Sequence, residues 1–313
     1  MCELEVFDKV PQSTVKDTPD CPHNEGLRTS LPVNHEYRNP QISKLEESLS
    51  GDELIKFVNR KQDLWTARRH PRFDKYPDAT KWGLMGVENV RLSVEGKKNL
   101  SPTQYLNIDI PESFDSRENW SECQSIKAIR DQSSCGSCWA FGAVSLSADD
   151  LLSCCGIWCG FGCHGGRPLA AWKYWVRSGI VTGGNFTSGT GCKPYPFPPC
   201  EHHSTKHHFD PCKEALYPTP KCEKKCLSSY TDKTYIQDKY YGKSAYGVKN
   251  SVEAIQKAKT KRNIAGFFRI LRGVDECGIE SGVVGGVPKL DQFSRSARSL
   301  YEVDSDESDE TFF

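Results

Sequence analysis

The stretch that decides the fold of this chain is residues 132–141, which read QSSCGSCWAF and contain Cys135 and Cys138. The thiolate is the reactive form of cysteine, and a helix N-terminus or a neighbouring imidazolium lowers the thiol pKa far enough to supply it. We predict a helix that begins near Cys138. This cysteine is therefore a candidate nucleophile.

Two other interpretations of the cysteine pair stay open at this point. A structural zinc site takes four ligands, so it needs two cysteine pairs. Three pairs have a short spacing: Cys135/Cys138, Cys159/Cys163 and Cys222/Cys226. A redox Cys-x-x-Cys pair is the second alternative, although no βαβ pattern surrounds it.

Composition limits the class of protein. The chain has 313 residues, 37% hydrophobic, with 41 basic and 41 acidic side chains and no net charge. This length allows one large or two small domains, and the charge balance gives no reason to expect a nucleic-acid partner. No apolar run approaches the roughly 18 residues of a membrane span, and no signal peptide is visible near the start.

Cysteine usage predicts an oxidising compartment. Of the 15 cysteines, 12 lie between Cys123 and Cys226, a density above the roughly 8–10% that marks disulfide scaffolds. Asn-x-Ser/Thr triplets at Asn99, Asn119 and Asn185 agree with secretion and glycosylation. These observations lead us to expect a true N-terminus that differs from the one in this chain.

Periodicity and turn signals predict a helical part followed by strands. Ser50 and Glu53 form a capping-box pattern before a predicted helix over residues 51–68. Its apolar face holds Leu54, Ile55, Val58 and Trp65. Further helices are predicted at residues 148–154 and 169–177, a Cys-rich loop at 192–226, and strands at 266–272 and 279–287. This order indicates a two-domain α+β protein.

Several stretches together resemble the papain family of cysteine peptidases, and within it the cathepsin B-like subgroup of parasitic worms. They read CGSCWAFGAV (135–144), LLSCCG (151–156), GCHGG (162–166), PCEHH (199–203) and QDKYYG (237–242). The resemblance implies a papain-like α+β fold that hydrolyses peptide bonds through the Cys138 thiolate, without metal or cofactor. It implies peptide or protein substrates, the chain's own propeptide and cystatin-type inhibitors as partners, and a lysosomal or secreted protein.

Composition and the resemblance together imply an organisation of the chain in five parts. They are a disordered leader (1–44), a propeptide-like segment (45–110), a helical half with the nucleophile and an occluding loop (111–242), a remnant of the β-barrel half (243–292) and an acidic disordered tail (293–313). The helical half is expected to be largely present and the β-barrel half truncated, because too few strands remain to close a barrel.

Further site residues follow from the resemblance. Gln132 is expected to donate its amide to the oxyanion, with a solvated loop side chain as the alternative. Gly165 and Gly166 are expected to pair with substrate backbone, with a plain turn as the alternative. His202 and His203 of the occluding loop would anchor a C-terminal carboxylate.

Two of these assignments carry a qualification. Adventitious metal binding by the histidines, with His207 and His208 nearby, is the alternative to the carboxylate anchor. Gly282 stands at the base of the S2 pocket, where many relatives carry an acidic residue, so basic P2 side chains should not be favoured.

Five disulfides are implied by the family pattern, which leaves Cys138 free and Cys123 unpaired. The implied pairs are Cys135–Cys163, Cys154–Cys222, Cys155–Cys159, Cys192–Cys226 and Cys200–Cys212.

The family pattern breaks where the catalytic base belongs. Papain relatives place the base and its orienting Asn roughly 130–150 residues after the nucleophile. Residues 268–288 hold neither His nor Asn, and the last histidine is His208. We therefore predict that one block is missing between Lys257 and Gly266 and another after Val144. The first loss removes the base and predicts impaired catalysis.

Two other hypotheses for the whole chain remain open. The chain can be a catalytically dead binding or inhibitory module derived from a cathepsin B, or a splice or gene-model product that does not fold.

Overall fold

The computed structural model describes ten parts of the chain. They are residues 44–61, 66–69, 71–88, 92–100, 118, 129–143, 146–201, 208–251, 253–255 and 282–289. Several predictions lie outside these residues: nearly all of the leader, the strand at 266–272, the acidic tail, and the side chains of Trp65, Asn119, Cys123, His202, His203 and His207.

Seven α-helices and two β-strands lie within the described residues. The helices are α1 (Lys44–Glu47), α2 (Gly51–Lys61), α3 (Asp78–Leu84), α4 (Val94–Lys98), α5 (Cys138–Phe141), α6 (Ala148–Cys154) and α7 (Pro168–Ser178). The strands are β1 (Gly242–Gly247) and β2 (Val284–Pro288), and they pair antiparallel. No described helix is long and apolar enough to cross a membrane.

Helix α2 ends earlier than the periodicity predicts. Residues 66–69 are not helical, so the expected end at residue 68 is wrong. The Asn59 side-chain amide donates to the Ala67 carbonyl at 3.0 Å and accepts from the Ala67 amide at 2.7 Å. These two bonds fold the chain back beside the helix. No described side chain of α2 is fully buried, and Leu54 is 41% exposed.

The main hydrophobic core lies where α5, α6 and α7 pack together. Trp139, Leu151 and Ala171, one from each helix, are at most 2% exposed. Helix α5 begins at Cys138, as predicted, and has four residues. A helix of one turn is unstable alone, and burying a Leu-sized side chain contributes about 1.5–3 kcal/mol. Packing therefore holds α5 in place.

Helices α6 and α7 lie close to their predicted positions. The Ser147 hydroxyl accepts a hydrogen bond from the Asp150 amide at 2.9 Å, which caps the N-terminus of α6 as the two residue types suggest. Helix α7 begins with Pro168 and ends before Gly179, whose positive φ of 66° suits a helix C-terminus. In the Cys-rich loop, residues 192–201 and 208–226 form no helix or strand.

Five disulfides crosslink the cysteine-rich part. They are Cys135–Cys163, Cys154–Cys222, Cys155–Cys159, Cys192–Cys226 and Cys200–Cys212. A zinc site at the short-spaced pairs is therefore excluded, because zinc binds thiolates. No cluster of metal ligands lies among the described residues.

Cys138 is also disulfide-bonded, so the expectation of a free thiol is wrong. The other ten described cysteines bond to one another.

The small sheet packs against α7. Strand β1 was not predicted, because GKSAYG has few β-branched residues and a glycine at each end. Strand β2 begins at Val284, five residues later than predicted. A second, smaller apolar cluster forms beside the sheet from Tyr246, Val248, Ala254 and Ile255, with Val283 and Val287 against it. The described residues thus supply two strands, fewer than a barrel needs.

Candidate active site

Cys138 is the first residue of α5 and follows a loop that is fixed by a hydrogen bond and a disulfide. The Gly136 amide donates to the Cys163 carbonyl at 2.8 Å, and Cys135 is bonded to Cys163. The loop that carries Cys138 is thus fixed to the turn at residues 162–166. Cys138 itself is half-buried, with its neighbours Ser137 and Trp139 buried.

The Gln132 side chain is buried directly against the backbone of this loop. Its Oε1 accepts hydrogen bonds from the Cys138 amide at 2.9 Å and the Ser137 amide at 3.1 Å. Its Nε2 donates to the Leu84 carbonyl at 3.4 Å. The alternative of a solvated loop side chain is wrong, since Gln132 is 5% exposed. The Leu84 carbonyl oxygen therefore lies at a position to which the Gln132 side-chain amide donates.

Residues 84–88, which we call the strap, pass directly over Cys138. The Sγ atom of Cys138 lies 3.5 Å from the Met85 carbonyl oxygen. Gly86 has a positive φ of 61°, and a Cβ built on it would lie 2.6 Å from the same Sγ. Only glycine adopts this conformation without strain and fits this gap. The strap therefore covers the sulfur through a residue without a side chain.

The strap also occupies the backbone pairing position at Gly166. The Gly166 amide donates to the Gly86 carbonyl, and its carbonyl accepts from the Glu88 amide, both at 2.8 Å. Val87 faces Gly166 in a parallel bridge. Gly165 adopts a positive φ of 116°, and its carbonyl accepts a hydrogen bond from the Phe161 amide. Of the two predicted glycines, Gly166 contacts the strap through hydrogen bonds.

Ion pairs add to the docking of the N-terminal segment. Arg167 Nε lies 3.7 Å from a Glu88 carboxylate oxygen, and Lys173 Nζ lies 2.5 Å from the carboxylate of Glu95 on α4. The hydrogen bond from Lys173 and its charge lower the pKa of Glu95. Both carboxylates belong to the N-terminal segment and both cations to the cysteine-rich part.

Tyr195 is a site residue that the sequence did not reveal. Its hydroxyl donates to the Gln132 carbonyl at 2.8 Å and lies 2.7 Å from the Ser137 hydroxyl. Tyr195 is 5% exposed, and burial raises its pKa. It joins the two ends of the loop before Cys138. No local motif marks this tyrosine, because its partners lie about 60 residues earlier.

For several predicted site residues, the described part of the chain shows no contact with the residues around Cys138. His202 and His203 lie outside the described residues, and Gly282 lies half-buried in the turn before β2. His164, beside Gly165, and His208 are the histidines whose side chains are described. The roles given to these residues by resemblance remain predictions.

A buried ionic cluster supports α6. Asp150, which is not exposed, accepts a hydrogen bond from Lys239 at 2.7 Å and one from the Tyr235 hydroxyl at 2.6 Å. Lys193 lies 3.2 Å from Asp149, and burial raises the pKa of Asp149 despite this cation. Burial also lowers the pKa of Lys239. The cluster fixes α6, which packs against the short helix α5.

Comparisons with known proteins identify relatives of this chain. The family described as Papain family cysteine protease matches residues 110–145 and 143–264. The chain is 52% identical to a "Cathepsin B-like cysteine proteinase 6" of Caenorhabditis elegans, over 88% of this chain and 92% of that protein. It is 38% identical to a "Cathepsin B-like cysteine proteinase" of Schistosoma japonicum, over 76% and 91%. A solved proCathepsin B S9 from Trypanosoma congolense is 27% identical, with a TM-score of 0.49 and 70% of each chain covered.

The chain belongs to the papain family of cysteine proteases, and within that family to the cathepsin B-like proteinases. Its fold class is the papain-type α+β fold. The helical half around α5, α6 and α7 is largely present, and the sheet half is reduced to β1 and β2 among the described residues.

Proposed function

We propose that this chain is the precursor of a cathepsin B-like cysteine peptidase whose turnover is impaired. Cys138 is its nucleophile once its disulfide is reduced, and Gln132 is an oxyanion donor. The observation that carries the proposal is the strap, which lies over Cys138 Sγ and pairs with Gly166 as a bound peptide segment would.

The chemistry divides into a part that this chain retains and a part that it lacks. A thiolate at Cys138 attacks a peptide carbonyl, and amide donors such as Gln132 Nε2 stabilise the oxyanion by about 3–4 kcal/mol each. The reaction also needs a base to take the thiol proton and an acid to protonate the leaving amine. No histidine follows His208 in the sequence, so the residue that serves both purposes in relatives has no counterpart at its expected spacing.

Two features of the comparisons support missing internal blocks. The family match breaks at residues 143–145, around the proposed junction at Val144, and its second part ends at residue 264, beside the proposed junction before Gly266. The alignment to the Caenorhabditis elegans relative spans 352 positions, more than the 313 residues of this chain. It therefore contains gaps in this chain, and sequencing the transcript across both junctions tests whether they are encoded.

The test of impaired catalysis is turnover of a fluorogenic dipeptide substrate by the reduced full chain. We expect a rate at least about 10³-fold below that of the Caenorhabditis elegans relative under the same conditions, because losing one member of such a constellation costs several orders of magnitude. Turnover comparable to that of the relative, if abolished by Cys138→Ala, would overturn the proposal of impairment. Any residual activity should not favour basic P2 side chains, given Gly282.

An inhibitory module is the second candidate, and the strap favours it as well. A chain that keeps the strap and its docking segment, but lacks the base, can bind an intact relative without cleaving it. The segment over residues 45–110 should then inhibit a full-length cathepsin B-like peptidase in trans. Absence of inhibition at micromolar concentrations would remove this candidate.

The five disulfides support a lysosomal or secreted location, since such bonds persist in oxidising compartments. We propose His202 and His203 as anchors for a substrate carboxylate and cystatin-type proteins as inhibitors. Loss of peptidyl-dipeptidase activity in His202→Ala, measured in a chain with the missing blocks restored, tests the first assignment.

A further inference from the structure

We propose that Arg167 forms a subsite that selects an acidic side chain in the peptide bound at Gly166. The inference rests on the proposed function, since it names the class of peptide that the same cleft prefers.

The Arg167 guanidinium is held in a fixed orientation by the turn beside it. Its Nη2 donates to the carbonyls of Ile157 at 2.8 Å and Trp158 at 2.9 Å. The Arg167 backbone amide also donates to the Cys159 carbonyl at 2.6 Å, and Cys159 is bonded to Cys155. The cation is therefore positioned before a peptide arrives, and less side-chain entropy is lost on binding.

The Nε edge of the guanidinium faces the strap. Arg167 Nε lies 3.7 Å from the Glu88 carboxylate, while the Glu88 amide is bound to the Gly166 carbonyl. The Glu88 position is thus tied to the cleft by its backbone and reaches Arg167 by its side chain. Any peptide that repeats the backbone pairing at Gly166 presents a side chain to the same cation.

The surroundings favour an anion at this position. The Arg177 guanidinium lies 6.0 Å from the centre of the Trp158 ring, which brings a second positive charge to the same rim. Trp158 and Phe161 are 70% and 67% exposed, so an apolar surface borders the cation. The Glu88 side chain retains 29% of its exposure, which limits the screening of the pair by water.

The strap itself serves as the test ligand, because it is tethered in the cleft of the full chain. The full chain is mildly reduced to release Cys138 and labelled with iodoacetamide, and modification of the Cys138 peptide is followed by mass spectrometry. A strap that opens more often exposes Cys138 more. We expect Glu88→Gln to raise the labelling rate about two- to fivefold, the range for a partly exposed ion pair, and Glu88→Lys to raise it further.

Reversal of the preference is the decisive result. In an Arg167→Glu background, Glu88→Lys should lower the labelling rate instead of raising it. Glu95→Gln breaks the ion pair of the same segment with Lys173, and it should change the rate by the same factor whether residue 167 is Arg or Gln. A labelling rate of Cys138 that does not depend on the charge at residue 88 in either background would overturn the subsite.

Gly86→Ala separates failure of the subsite from failure of the proposed function. If Gly86→Ala accelerates labelling while residue 88 has no effect, the strap covers Cys138 and only the subsite is lost. If no strap variant alters the rate, or if every chain is labelled as fast as in urea, the strap does not cover a folded site and both proposals fall.

Discussion

The hydroxyl of Tyr195 donates to the backbone carbonyl of Gln132 at 2.8 Å, and this contact fixes the loop that leads to Cys138. The same hydroxyl lies 2.7 Å from Ser137, the residue before Cys138. The position of Gln132, the proposed oxyanion donor, relative to the Cys138 sulfur therefore depends on a tyrosine that lies outside the motif at residues 132–141.

Tyr195→Phe should destabilise the chain by about 1–3 kcal/mol, because it leaves a buried carbonyl and a buried hydroxyl without this partner. Urea denaturation followed by tryptophan fluorescence measures the change. The matched control is Tyr217→Phe, which keeps the ring that stacks on Phe197 at 4.3 Å and should cost less than about 0.5 kcal/mol. Equal effects of the two substitutions would contradict the positioning role of Tyr195.

Gly86→Ala should lift the strap from Cys138. The positive φ of 61° costs a residue with a side chain about 1–2 kcal/mol, and the added Cβ would lie 2.6 Å from Sγ. We expect iodoacetamide labelling of Cys138 after mild reduction to rise about five- to thirtyfold. Gly189→Ala is the control, since Gly189 has a similar φ of 63° with no atom within 4 Å of its Cβ position. Equal acceleration by the control would count against strap contact.

The ion pair between Glu95 and Lys173 should make the stability of the chain depend on pH in the acidic range. Lys173 lowers the pKa of Glu95 from its ordinary value of 4.5, so the carboxylate stabilises the folded chain above that value. This contribution is lost as the pH falls through the lowered pKa. The difference in Tm between the original chain and Glu95→Gln should be present at pH 6 and shrink as the pH falls below 4.5. A difference that does not shrink on acidification would exclude the charge as its cause.

Asp150→Asn should be one of the most damaging substitutions in the helical half. Asp150 is fully buried, and the Lys239 ammonium lies 2.7 Å from its carboxylate. Replacing this carboxylate leaves a buried ammonium without its anion, at a cost of about 3–5 kcal/mol. Chemical denaturation measures this loss. Asp210→Asn, at an exposed position of the Cys-rich loop, should change the stability by less than about 0.5 kcal/mol.

The sequence predicted the helices that have local signals. The predicted range of residues 148–154 matches α6, and the predicted range of 169–177 lies within α7. The end of α2 was missed, because the bonds between Asn59 and Ala67 join residues eight positions apart. Strand β1 was missed, because its pairing with β2 joins residues about 40 positions apart and its own composition is weak in strand formers.

The candidate site residues that a motif carries could be named from the sequence. Cys138 was named from its motif, Gln132 and Gly166 were named from family resemblance, and each of the three lies against the strap. Gly86, Arg167 and Tyr195 were not named, because their roles depend on contacts between distant parts of the chain. The disulfide at Cys138 could not be predicted from the family's disulfide pattern, because that pattern leaves Cys138 as a free thiol.

The crosslink between Cys154 and Cys222 has a consequence for handling this protein. It closes a loop of 68 residues, and such a closure removes about 4 kcal/mol of chain entropy from the unfolded ensemble. A reducing agent that frees the Cys138 sulfur also reduces the disulfides that crosslink the helical half. Reducing the disulfide at Cys138 and keeping the other disulfides intact are therefore competing requirements. Both are met only within a narrow range of redox potential.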